Sequence, residues 1–102
     1  MEHFLHLKAL LPVQALNAGY LVTKGWGRHV ERTMDTFEII YVNSGTLGIF
    51  EEDVEYDVDH GEALILFPGR HHGGTRDFDA DLTFYWLHFT MEEEALRMGS
   101  DI

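Results

Sequence analysis

Apolar and polar positions alternate with a period of two along much of this chain, and turn residues cut the alternation at short intervals. Residues 37–42 (FEIIYV) are rich in β-branched and aromatic side chains and stop at Asn43-Ser44-Gly45, as a strand entering a tight turn does. Residues 46–50 follow closely enough to be its hairpin partner. Glu51-Glu52-Asp53 makes a polar tip, residues 54–58 (VEYDV) alternate apolar and acidic, and Asp59-His60-Gly61 turns again. The run ALILF at 63–67 is continuously apolar and ends at Pro68-Gly69, the pattern of a buried strand meeting a loop. After a loop at 69–81 rich in Gly, Arg, His and Asp, residues 82–89 (LTFYWLHF) form the last and most aromatic strand. With a first strand at 18–23 and an irregular segment at 24–35 (KGWGRHVERTMD), the pattern predicts an all-β domain of short strands, a small barrel or sandwich.

The two ends read differently. Residues 1–12 place apolar side chains at 4, 5, 7, 10 and 11 before Pro12, which suits a short amphipathic helix or an arm lying on the domain. At the other end Thr90 with Glu93 spells a capping box, and Glu92 to Glu94 put negative charge where a helix dipole favours it. Gly99 offers a C-terminal stop. The expected organisation is an N-terminal arm at 1–12, a barrel at 13–89, and at 90–102 the start of a linker or dimerisation helix in a truncated chain.

Composition narrows the partners. A chain of 102 residues with 45% hydrophobic and 13% aromatic content closes one modest core and is not disordered. It carries 18 Asp plus Glu against 7 Lys plus Arg, a formal net charge of -11. Counterion release from nucleic acid needs clustered cations, so these residues are not expected to bind DNA, RNA or an anionic membrane. The absence of cysteine removes disulfides, thiolate nucleophiles and zinc-thiolate sites. The first residues, MEHFLHLKALLP, lack a basic leader and a continuous apolar span, so a cytoplasmic location is expected. Seven carboxylates between Glu51 and Glu62 read as a solvated edge hairpin, where charge discourages edge-to-edge association.

The chemistry-bearing residues follow a recognisable order: Glu38, six residues, Gly45; then Gly61, an apolar strand, Pro68-Gly69 and His72. In this the chain resembles the cupin superfamily, a small double-stranded β-helix or jelly-roll barrel. That family opens its first motif with His-x-His three or four residues before the Glu, where this chain has Arg32 and Met34, or Glu31 and Thr33. A cupin metal site needs three or four convergent N and O ligands. Glu38 and His72 alone match, so no metal and no cofactor are expected; any metal would rest on those two, with His29, His71 or His88 as substitutes. Without a metal, Glu38 reads as a buried carboxylate paired with Arg32 or a backbone amide.

A narrower resemblance spans nearly the whole chain. The succession FEIIYVNSG, GEALILFPGRHH and FYWLHF is similar to the N-terminal sensor and dimerisation domain of AraC-type transcriptional regulators, a cupin barrel that binds an effector, often a sugar. The resemblance implies a carbohydrate-like small-molecule effector, a homodimer, and contact with DNA only through a C-terminal domain absent from these residues. It implies that Trp86 stacks on the sugar, as the matching Trp does in the arabinose-binding member. Other sugar-contacting positions of that member fall here on Val42, Gly73 and Phe84, which removes hydroxyl partners and argues against arabinose. On the alternating strand Trp86 shares a face with Phe84 and His88. The expected pocket is therefore Trp86, Phe84, His88, His72, Glu38 and Arg32, with no catalytic residue. His72 is equally read as bonding a carbonyl at the loop mouth, and Trp86 and His88 as core. Two rival readings stay open, a small metal-dependent cupin isomerase or dioxygenase and a ligand-free dimerising barrel. Tyr85, Leu87 and Phe89 face outward and need a cover, which favours a dimer.

Overall fold

The period-two runs become strands wherever the apolar side of one can face that of another. The computed structural model describes residues 13–91, and among them are eight strands. These are β1 (Val13–Val22), β2 (Arg32–Thr33), β3 (Phe37–Ser44), β4 (Thr46–Glu51), β5 (Val54–Asp59), β6 (Ala63–Leu66), β7 (His71–Gly74) and β8 (Thr83–Met91). They pair antiparallel in two four-stranded sheets, ordered β1-β8-β3-β6 and β2-β7-β4-β5. The result is the all-β jelly-roll barrel expected of a cupin. Gly45, at φ +76°, turns β3 into β4; a Cβ there would also stand 2.8 Å from the Leu82 backbone, so both conformation and space call for glycine.

Register decides which side chains meet. In the first sheet Val42 lies opposite Phe84, Ile40 opposite Trp86 and Leu64, and Glu38 opposite His88 and Leu66. All of these face the second sheet, whose Leu47, Ile49 and Val58 complete an apolar core in which each is at most 1% exposed. Next to that core, at one end of the barrel, two polar rows face each other. The first sheet contributes Asn17, His88 and Glu38; the second contributes Arg32, His72 and Glu51. The outer face of the first sheet holds a second apolar cluster in which Phe37 stacks on Phe89 at 5.0 Å beside Met91.

Several elements depart from expectation. Thr90 and Met91 continue β8, paired with Gln14 and Val13, so the last strand runs past the expected end at Phe89, and the helix expected from there on lies outside the described residues. β1 begins five residues before the expected start, and β7 occupies part of what reads as a loop, its His71-His72-Gly73-Gly74 lacking any β-branched signal. Glu51 is buried rather than solvated, because its carboxylate accepts the Phe67 N–H at 2.7 Å and an Arg70 N–H at 3.4 Å. The arm at 1–12 and the segment 92–102 lie outside the described residues.

Candidate functional site

The polar end of the barrel opens into a cavity of about 360 Å³, within the range of small-molecule sites. Five of the six expected residues line it: Arg32, Glu38, Phe84, Trp86 and His88. β3 and β8 bring Glu38 and His88 opposite each other, and β8's alternation puts Trp86 and Phe84 on the same inner face. His72 is the exception. It sits on β7 in the opposite sheet, 2% exposed, with its ring 5.3 Å from the His29 ring, and it does not line the cavity. Nor does it bond a carbonyl, since neither ring nitrogen has a hydrogen-bond partner.

Glu38 is the hub of the site. It is 2% exposed, and four basic side chains converge on its carboxylate. His29 Nε2 is 3.2 Å from Oε2; His88 Nε2, an Arg32 Nη2 and His72 Nε2 are 3.4, 3.6 and 3.8 Å from Oε1. An Arg32 N–H also donates to His88 Nε2 at 3.3 Å. Burial alone would raise the Glu38 carboxyl, but the His29 hydrogen bond and the charges of His29, His88 and His72 outweigh it and hold it below the ordinary carboxylate value. Burial, reinforced by His29, pushes His72 down to about 4 against the pull of Glu38. His72 is therefore neutral near pH 7.

The remaining wall comes from residues the strand pattern does not flag. His29 and Arg28 stand in the irregular segment at 24–31, where the sequence offers His29 only as a substitute ligand. Two backbone bonds steer that segment to the cavity: the Gly74 N–H donates to the His29 carbonyl at 3.0 Å, and the Phe78 N–H to the Gly27 carbonyl at 2.7 Å. Gly74 makes the first possible, because a Cβ there would stand 2.9 Å from the His29 nitrogen and from Arg28 Cβ. Asn17, Leu21, Val30 and Phe78 also line the cavity and escape sequence reasoning. Gly19 has no signal at all. A Cβ at position 19 would meet three indole atoms of Trp86 at 2.5 to 2.8 Å, so the absence of a side chain on β1 is what lets the ring lie across it.

The site can do two things chemically. Its aromatic wall and convergent donors and acceptors can hold a polar small molecule. Its His29, Glu38 and His72 each offer one ligand atom, all within 4.8 Å of one another, and can gather around a cation.

Comparisons with known proteins bear on which use applies. A family model described as the AraC-like ligand binding domain matches residues 19–97. The uncharacterized HTH-type transcriptional regulator YisR of Bacillus subtilis (strain 168) is 43% identical over 72 residues, which make up 71% of this chain and 25% of that relative. The chain thus spans about a quarter of its curated relative's length. Among solved structures, the Cnp3 cupin domain of Schizosaccharomyces pombe is similar with a TM-score of 0.65 at 14% identity, covering 92% of this chain and 74% of that one. An RmlC-like cupin from Shewanella frigidimarina gives a TM-score of 0.63 at 14% identity, covering 87% and 84%. At such identities the structural likeness concerns the fold.

Proposed function

The chain belongs to the AraC-like ligand binding domain family, and on that basis we propose that it is the effector-sensing half of a transcriptional regulator, taking a carbohydrate or similarly polar metabolite beside Trp86. The observation that carries this reading is the Trp86 wall. The indole is only partly buried, lies over Gly19, and faces a cavity edged by Asn17, Arg28, His29 and His88. A sugar needs such a pairing, an aromatic face for its C–H surface and a rim of donors and acceptors for its hydroxyls. The domain does no chemistry of its own; the ligand acts by linkage, binding one arrangement of the arm at 1–12 and the subunit surface better than another.

DNA would be reached through the rest of a regulator of the kind the HTH-type relative's name denotes, since these residues carry a net charge of -11. A cytoplasmic setting accords with this role. No helix among the described residues is long and apolar enough to cross a membrane. Homodimerisation is supported by a row of tyrosines on the outer face of the first sheet: Tyr20, Tyr85 and Tyr41 lie opposite one another on β1, β8 and β3 and are 46%, 51% and 44% exposed. A continuous aromatic row at that exposure suits a protein interface.

Calorimetry across a panel of mono- and disaccharides tests the reading, with Trp fluorescence in a Trp26→Phe background as second probe. Binding of at least one sugar is expected, weakened at least ~10-fold in Trp86→Ala. Binding to none overturns the sugar reading, and binding indifferent to Trp86→Ala places the ligand elsewhere. Light scattering is expected to give a dimer, and a monomer at high concentration overturns that part.

A further inference from the structure

We propose that the effector of this domain is an organic anion, a sugar-like body carrying a carboxylate or phosphate, and that Arg28 takes its charged group while Trp86 takes its ring. This rests on the reading of a sugar beside Trp86 and narrows its class to acidic sugars.

Charge distribution is the first support. Beside the cavity at the polar end lies a second, of about 410 Å³, and Leu21, Arg28 and Phe78 line both. Residues 13–91 hold five Lys and Arg side chains, at 24, 28, 32, 70 and 76. Three of these, Lys24, Arg28 and Arg32, line one or both cavities, whereas Glu38 is the only Asp or Glu among the described residues that does. The chain carries a net charge of -11, so most of its surface repels an anion. This end draws one in, because low-dielectric walls focus the field of clustered cations.

The placement of Arg28 is the second. The carbonyls of its neighbours Gly27 and His29 accept the Phe78 and Gly74 N–H groups at 2.7 and 3.0 Å, so the chain is tied to the barrel on both sides of it. It also packs closely on β7, where a Cβ at Gly74 would stand 2.9 Å from Arg28 Cβ. From the wall common to the two cavities its guanidinium donates from Nε and Nη2 to Asp77 Oδ1 at 3.3 and 3.1 Å. Among the described residues Nη1 has no hydrogen-bond partner. The Arg28 and Asp77 side chains are 56% and 59% exposed, and a pair so open to water holds the arginine only weakly. An incoming carboxylate or phosphate can take the Nη1 edge or displace Asp77.

The one acid of the cavity does not oppose an anion. Glu38 is 2% exposed, and its charge is met inside the site by Arg32 at 3.6 Å and by the three surrounding histidines. Arg32 is thereby committed to Glu38 and, at 3.3 Å, to His88. That leaves Arg28, with Lys24 in the adjoining cavity, as the cation for a ligand to match. A neutral sugar offers it hydroxyls alone. A carboxylate or phosphate offers charge-assisted hydrogen bonds in the geometry a guanidinium fork is shaped for.

The test is calorimetry on the 102-residue chain with neutral hexoses, the matching uronates and the matching hexose 6-phosphates. At least one acidic sugar is expected to bind ~10-fold or more tighter than its neutral parent, and the uronate and phosphate arms separate the two sources of the charge. Raising NaCl to about 0.5 M should shrink the difference. Arg28→Gln should abolish it and Arg28→Lys keep part of it. Asp77→Asn should widen it, which a merely structural ion pair would not produce. Neutral sugars that bind as tightly as acidic ones overturn the anionic effector and leave the sugar reading standing, whereas no binding by either kind removes both. A preference for acidic sugars that survives Arg28→Gln overturns the role of Arg28. Should that variant fail to fold by thermal melting, a preference indifferent to both salt and Asp77→Asn does the same.

Discussion

β3 and β8 run through two environments that differ more than their sequences suggest. At one end Ile40, Val42 and Phe84 join Leu47, Ile49 and Val58 in a core where apolar surface is removed from water without an unmet demand. At the other, one pair further along the ladder, Glu38 and His88 meet Arg32 and His72 in a layer where four polar atoms of three residues have no partner: Arg32 Nε, Glu38 Oε1 and both His72 nitrogens. The first region is built for stability. The second forgoes some of it, since each buried unsatisfied group costs about 1–3 kcal/mol, and retains a set of donors and acceptors ready for a ligand. Shared strands thus carry an apolar core and a layer of unmet polar atoms side by side in one barrel.

Substitutions in the two layers should therefore behave oppositely. The largest effect is expected in the apolar layer: Leu47→Ala, which empties a side chain 1% exposed, should lose ~2–5 kcal/mol in a denaturant melt while leaving ligand affinity near wild type. Gly19→Ala comes next, at ~1–3 kcal/mol, because its methyl drives into the Trp86 indole. It should also shift Trp86 emission and weaken the ligand, and an unchanged emission spectrum would show that the ring does not depend on Gly19.

His72→Leu probes the polar layer directly. Removing two unpartnered nitrogens should leave chelator-stripped protein at pH 7 as stable as wild type or up to ~2 kcal/mol more so. The pH dependence carries the sign. His72 takes up a proton near 6.5 when unfolded and only near 4 when folded, so the unfolded state binds more protons between those values and stability falls as pH drops through that window. His72→Leu should flatten the fall, and an unchanged slope would mean that His72 is not the titrating group. The smallest effect belongs to the surface. Arg76 and Asp57 pair at 2.6 Å with side chains 43% and 67% exposed, and Asp57→Asn should cost only ~0.2–1 kcal/mol, less at high salt.

Much of this arrangement is legible in the order of residues. Turns at Gly45, Gly61 and Pro68-Gly69 and the alternation of FEIIYV and FYWLHF place the inner faces of β3 and β8, and from those faces Glu38, Phe84, Trp86 and His88 follow. His29 is not legible as a primary site residue, because the segment 24–31 has no period. Its position depends on the Gly74 N–H, 45 positions along the chain. Asn17 and Gly19 are hidden because β1 is largely exposed and its partner β8 comes at the far end of the described residues.

Local order along the chain thus sets most of the elements and the side of each strand that turns inward, since the pleat makes facing a strictly local property with a period of two. Motif order likewise carries the family resemblance, and composition the acidity from which no DNA contact by these residues is expected. Which inward side chains meet is settled only in three dimensions. Cross-strand register and the packing of an irregular loop bring His29, Glu38, His72 and His88 together from four separate stretches of chain, and no local pattern encodes a distance between residues that far apart. For the same reason β8 runs on past Phe89 to Met91, because β1 offers it ladder hydrogen bonds that the local pattern does not show.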